Sequence, residues 1–98
     1  MRIITYKRIQ EFVVKHADSE TPLNYWYHTT NSSKWKNFND IKNTFNSVDY
    51  VGNNGYVFNI NGNHNRLIVI ISFNAQKVYI RFIGTHEEYD KIKNIKNI

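Results

Sequence analysis

Tyr56-Val57-Phe58-Asn59-Ile60-Asn61-Gly62-Asn63-His64-Asn65-Arg66-Leu67-Ile68-Val69-Ile70-Ile71-Ser72-Phe73 decides the fold. Two β-forming blocks, Tyr56 to Asn61 and Arg66 to Phe73, flank a connection that opens on Asn61-Gly62-Asn63, the pattern of a β-hairpin. Leu67 to Ile71 is almost continuously apolar, as expected of a central strand covered at least partly on both faces. Asn74-Ala75 opens a further turn, and Lys77 to Ile83 reads as a third strand that Gly84 closes. Thr85-His86-Glu87-Glu88 then forms a capping box, in which the threonine hydroxyl and the glutamate carboxylate satisfy each other's backbone donors. It heads a helix predicted to reach about Asn94, with Tyr89 and Ile92 in register.

Upstream, Gly52-Asn53-Asn54-Gly55 is a turn, and Met1 to Ile4 reads as a short edge strand. Thr5 is placed to cap a helix running to about His16, with Ile9, Phe12 and Val13 on its buried face. After the break at Ala17 to Glu20, Thr21-Pro22 reads as N-cap and first position of a second helix carrying Leu23, Trp26 and Tyr27. Asn39 to Phe45 is a further short helical stretch. The expected class is α+β: a small antiparallel sheet with N-terminal helices on one face and a short C-terminal helix. The 98 residues suffice for one core, so residues 1–98 are read as a single domain without linker or repeat.

Strand side chains alternate, so the parity of each hairpin loop fixes which residues share a face. Even loops put Phe58, Ile60, Leu67, Val69, Ile71, Phe73, Val78, Ile80 and Phe82 together. The other face then collects Asn59, Asn61, Arg66, Ser72, Lys77, Tyr79 and Arg81. An odd loop turns an arginine into the core at a cost of several kcal/mol, so the even register is preferred.

Charge narrows the function. No carboxylate lies between Asp49 and Glu87, and the formal net charge is +5. That balance favours an anionic partner, with a nucleic-acid backbone or an acidic protein in view, although a modest excess also serves solubility. Without cysteine there is neither disulfide nor thiolate metal ligand, and the four histidines show no metal-binding spacing, so no metal or cofactor is expected. No apolar run approaches the roughly 18 residues of a membrane span, and an intracellular, cytoplasmic protein is the expectation.

Arg66 and Arg81 are the leading candidates, because a guanidinium fork matches phosphate oxygens. The competing reading pairs them with Asp40, Asp49 or acids near the C-terminus. His86, at the first helical position, sits where backbone N–H groups favour an anion, and its imidazole is a candidate to give or take a proton. A surface histidine that merely begins a helix is the plainer alternative. Tyr89 shares its helix face and either meets substrate or packs on the sheet. Asn59, Asn61, His64, Lys77 and Tyr79 are candidate RNA contacts, Asp90 reads as a solvated charge, and Trp26 and Trp35 as core.

The segment Tyr56 to Arg66 resembles the V-F-N-x-x-G-N-x-x-R stretch of HigB-type toxins. Gln76-Lys77-Val78-Tyr79-Ile80-Arg81 and Thr85-His86-Glu87-Glu88-Tyr89-Asp90 resemble that family's Q-K-x-Y-I-R and T-H-x-E-Y-D stretches at similar separations. The likeness covers nearly the whole chain, strongest from Val48 to Asp90 and weak over the first helices. It implies a RelE-like fold and a metal-independent mRNA endonuclease acting on messages being translated on the ribosome. It also implies a HigA-like helix-turn-helix antitoxin, joined to the toxin in a hetero-oligomer, and a toxin role in a type II toxin-antitoxin system. By position, Arg66, Arg81, His86 and Tyr89 match the family's characteristic polar residues. The alternative from another class is a non-catalytic RNA- or DNA-binding accessory protein.

Overall fold

Phe58 lies opposite Leu67, Asn59 opposite Arg66 and Ile60 opposite Asn65, so the hairpin loop is the four residues 61–64. Ser72 pairs with Lys77, which makes the next loop, 73–76, even as well. The computed structural model describes residues 1–95. In chain order these form β1 (Arg2–Ile4), α1 (Lys7–Lys15), a 3-10 turn (Ala17–Ser19), α2 (Glu20–Ser32), α3 (Phe38–Thr44), β2 (Val48–Gly52), β3 (Gly55–Ile60), β4 (Asn65–Ser72), β5 (Lys77–Thr85) and α4 (His86–Asp90). The fold is α+β, around one five-stranded sheet ordered β1-β5-β4-β3-β2.

The helices cover one face. Ile9 and Phe12 of α1, Leu23 and Trp26 of α2 and Ile41 of α3 share a buried cluster with Phe58, Leu67, Val69, Ile71, Val78 and Ile80. Phe58 is its hub. The rings of Trp26, Trp35 and Phe45 lie 5.6, 6.4 and 5.5 Å from it, each such pair adding about 0.5–1.5 kcal/mol beyond simple burial.

Several expectations need correction. The sheet is mixed, because β1 runs parallel to β5; a three-residue strand is too short to announce its direction. β2 was not anticipated. Its residues Asp49 and Tyr50 are exposed, leaving only Val48 fully buried to mark it as a strand. Thr5 does not cap α1, since it adopts φ +71° and the cap position falls to Tyr6. α2 starts at Glu20, ahead of Pro22, which therefore sits at the third helical position. At that position Pro22 still lies in the first turn, where its missing N–H has no intrahelical partner to lose. α4 ends at Asp90, short of Asn94.

The largest correction concerns β5. Val69 pairs with Ile80, but Ile68 pairs with Phe82, so Arg81 is an extra residue in a β-bulge. Beyond it the alternation inverts. Phe82 stands opposite Ile68 on the face away from the helices, and Ile83 joins Leu67 on the helix side. That second face is consequently not a polar surface throughout. Val57 and Ile68 on it are 3% and 0% exposed although they belong to no part of the helix-side cluster.

Because β1 pairs only with Lys77 to Tyr79, the remainder of that edge of β5 has no strand partner among the described residues. α1 shields it: Nη1 of Arg8 donates to the carbonyl of Arg81 at 2.7 Å. A side-chain donor on an open edge satisfies the backbone and discourages pairing with another chain. Replacing Ile68 with Ala should cost about 2–5 kcal/mol, comparable to Leu67→Ala, because both side chains are fully enclosed. Urea titration of the two variants checks this; a cost below about 1 kcal/mol for Ile68→Ala would mean that the second face is wet.

Candidate active site

The bulge decides where β5 ends. After it, Gly84 stands opposite Arg66 and Thr85 opposite Asn65, and the N–H of His86 donates to the carbonyl of His64 at 2.9 Å. The hairpin loop, the start of β4 and the first turn of α4 are thereby fastened together at one end of the sheet. Asn65, only 3% exposed, lies in the middle of this junction.

Among the described residues, no carboxylate holds Arg66. Its Nη1 donates to the carbonyls of Asn63 and Asn65 at 2.9 and 3.2 Å, and its guanidinium carbon sits 5.8 Å from the centre of the Tyr89 ring. Such a cation–π contact fixes the plane of the fork, while the remaining N–H donors stay available. Among the described residues no lysine or arginine forms an ion pair with a carboxylate, so the bridging of Arg66 or Arg81 by Asp40 or Asp49 is not observed.

His86 has the opposite surroundings. Nε2 lies 2.9 Å from Oε1 of Glu87, and Nδ1 lies 3.5 Å from Oδ2 of Asp90, one helical turn on. Each carboxylate can accept from one ring nitrogen, and only the doubly protonated ring donates to both. Asp90, expected to be a solvated charge, is exposed and lies within ion-pair distance of this ring. Both His86 and Glu87 remain substantially open to solvent.

The expected pull of the helix start on an anion is weakened, because its donors are occupied. The N–H of His86 goes to His64, and that of Glu88 goes to the hydroxyl of Thr85 at 3.2 Å. Reciprocally, the N–H of Thr85 donates to Oε1 of Glu88 at 2.8 Å, completing the capping box foreseen in the sequence. That backbone bond holds Glu88 below the usual carboxylate range; partial burial opposes it, while the Thr85 hydroxyl, His16 and Lys91 reinforce it.

The other candidates divide by position. Asn59 is the cross-strand neighbour of Arg66, with its amide nitrogen bonded to the Ser47 hydroxyl. Asn61, in the loop at φ +56°, donates to Asp18 at 2.9 Å. His64 contributes its carbonyl to the junction. Lys77 and Tyr79 pair with Ser72 and Ile70 toward the far end of β4; Lys77 is six positions along the ladder from Arg66, roughly 20 Å. Arg81 is exposed at the bulge, three residues before the partner of Arg66, or roughly 10 Å along the strand. Among the described residues, no three or more His, Asp or Glu side chains converge to hold a metal ion. Glu88, Phe82 and His16 line a groove beside this junction; the sequence marks Glu88 only as part of the capping box and Phe82 only as a core residue. Only the bulge brings Phe82 to this side, and a bulge leaves no mark in the apolar pattern of β5.

Residues 19–92 match the family HigB_toxin, described as the RelE-like toxic component of a toxin-antitoxin system. The chain belongs to this HigB family. It is 34% identical over 93 residues to the mRNA interferase toxin HigB of Escherichia coli K12, covering 92% of this chain and 88% of that protein. The mRNA interferase HigB of Shigella flexneri matches to the same extent. A more distant mRNA interferase HigB, from Escherichia coli O6:H1, is 26% identical over 94 residues, or 94% of this chain and 91% of the relative. No described helix is long and apolar enough to cross a membrane.

A carboxylate held below its ordinary range stabilises the fold in full at neutral pH, and that contribution disappears as pH falls through the depressed value. Glu88→Gln keeps a carbonyl oxygen for the cap but cannot titrate. The wild type should therefore lose stability faster than Glu88→Gln on acidification below the usual carboxylate range, as read from urea midpoints at a series of pH values. Parallel curves would show that the Thr85–Glu88 cap contributes nothing to the pH dependence.

Proposed function

We propose that this chain is an mRNA endoribonuclease, the toxic partner of a toxin–antitoxin pair, and that it cuts RNA at the junction of β4, β5 and α4. The observation that carries this reading is the Arg66 guanidinium set against the ring of Tyr89, on the helix that His86 begins, with no carboxylate partner for the arginine among the described residues. The names of the bacterial relatives, all mRNA interferases, support the choice of substrate.

RNA brings its own nucleophile. Attack of a 2′-hydroxyl on the adjacent phosphate requires in-line placement, neutralisation of the charge building on the phosphorane oxygens, and a proton for the departing 5′-oxygen. Arg66, its plane fixed by Tyr89, supplies the phosphate clamp. His86 transfers the proton through Nε2 once Glu87, which is exposed and free to swing, gives way to the incoming phosphate. Asp90 keeps hold of Nδ1 during this exchange. Tyr89 adds a hydroxyl that orients the backbone, and Asn59 presents its amide oxygen beside Arg66. Arg81, farther along the strand, neutralises a neighbouring phosphate of the same RNA, with Asn61, His64, Tyr79 and Lys77 as more peripheral contacts. The message is engaged while on the ribosome, and a HigA-like helix-turn-helix protein is the cognate antitoxin.

His86→Ala and Arg66→Ala should each lower cleavage of translated message by at least about 100-fold and abolish growth arrest, without loss of folding by circular dichroism. If both folded variants still cut at the wild-type rate, the assigned roles are wrong. Substituting a deoxynucleotide on the 5′ side of the cut must eliminate product, since the nucleophile is removed. Binding without product from any RNA, on or off ribosomes, would instead identify a non-catalytic binder.

A further inference from the structure

An open groove of about 390 Å³ runs beside the junction, between α1 and the turn from β5 into α4. Its apolar lining is Phe12, Phe82 and Ile83, and its polar rim carries Arg8, Lys15, His16 and Glu88. Glu11 lies on the same rim, leaving the two fixed cations and two acids in approximate balance. A groove built for phosphate alone would not carry two carboxylates. An open groove lined by aromatic rings together with donors and acceptors suits a planar heterocycle instead.

Three features define what such a ring would meet. Phe82 is available as a stacking surface because Gly84 leaves room for it: a Cβ at residue 84 would come within 2.6 Å of Cζ of Phe82 and 3.0 Å of Oε1 of Glu88. The ring of His16 is stacked on Phe12 at 4.3 Å, which fixes the opposite wall. Glu88 has Oε1 committed to the N–H of Thr85, while no described donor reaches its second oxygen. Arg8, tied to the bulge through the carbonyl of Arg81, places its guanidinium next to the proposed RNA path.

We propose that this groove receives one unpaired nucleobase of the RNA strand, next to the cut, and that Glu88 selects a base bearing an exocyclic amino group. The inference rests on the endoribonuclease reading above and adds a specificity site to it. A carboxylate only accepts, so it pairs with the amino group of adenine, cytosine or guanine. Uracil presents two carbonyls around a single N–H and meets the carboxylate with at least one acceptor opposed to it. The ring stacks on Phe82, as single-stranded bases do on aromatic side chains, while Arg8 and Lys15 face the adjoining backbone.

Glu88→Gln is the diagnostic change. The amide oxygen retains the cap on Thr85, and the amide nitrogen turns the free acceptor into a donor. Cut sites of purified wild type and Glu88→Gln on translated transcripts of mixed sequence are compared by sequencing the product ends. The wild type should disfavour uracil at one position beside the cut. In Glu88→Gln the ratio of uracil to amino-bearing bases there should rise by about tenfold. Phe82→Leu should weaken use of all four bases at that position about tenfold through KM, with kcat retained. Cleavage by both wild type and Glu88→Gln with identical base profiles overturns the base pocket and leaves the nuclease reading intact. The same identical profiles with weakened antitoxin binding would assign the groove to the antitoxin, again overturning the proposal. Failure of the wild type to cut any RNA removes the endoribonuclease reading and this inference with it.

Discussion

One extra residue in β5 governs the functional end of this molecule. Had the strand continued in register past Ile80, Phe82 would have entered the helix-side core. The bulge at Arg81 instead inverts the last turn of the strand, so that Gly84 faces Arg66 and Thr85 faces Asn65. From that pairing follow the bond from His86 to His64 and the position of α4 over the start of β4. Bulges accentuate twist and re-aim side chains beside functional sites. Arg8 of α1 meets the same bulge from the side, donating to the carbonyl of Arg81 on the edge that β1 leaves open.

The electrostatic character of the chain arises from where its acids are engaged as much as from their number. Asp40 accepts from the backbone N–H of Lys36, Asp18 from the amide of Asn61, and Glu88 from the N–H of Thr85. Glu87 and Asp90 both attend His86. With these carboxylates committed to neutral donors or to one histidine, no arginine or lysine forms an ion pair with a carboxylate among the described residues. An excess of +5 thus acts as a field directed outward, suited to a polyanion, with little of it consumed in surface ion pairs. A sequence interval without acids does not make an acid-free surface, however. Asp49 reaches the exposed side of β2, and α4 brings three carboxylates to the junction.

Rigid support for the junction comes from β4. Leu67 and Ile68 are fully buried on opposite faces, and Asn65 is enclosed just before them. The adjoining Arg66 consequently leaves a fixed backbone, and its fork is steadied by two carbonyls and an aromatic ring. Around Phe58 the aromatic cluster anchors the neighbouring strand, keeping Asn59 beside Arg66. A charged side chain held this way reaches a bound phosphate with little conformational entropy left to lose.

The sequence by itself settled the features that depend on local chemistry. The β3–β4 hairpin, its even loop, the buried Leu67, Val69 and Ile71, and the Thr85–Glu88 capping box were all legible, because alternation, turn residues and cap spacing act within a few positions. The motifs carrying the HigB likeness were legible on the same scale. Long-range geometry decided the rest. β2 became a strand by pairing with β3 although most of its side chains are exposed, and β1 took its parallel direction from β5. Phe82 changed sides because one residue of β5 found no partner in β4. Each of these outcomes depends on which backbone groups meet across strands distant in sequence, and an apolar pattern read along one strand carries no information about its neighbour's register.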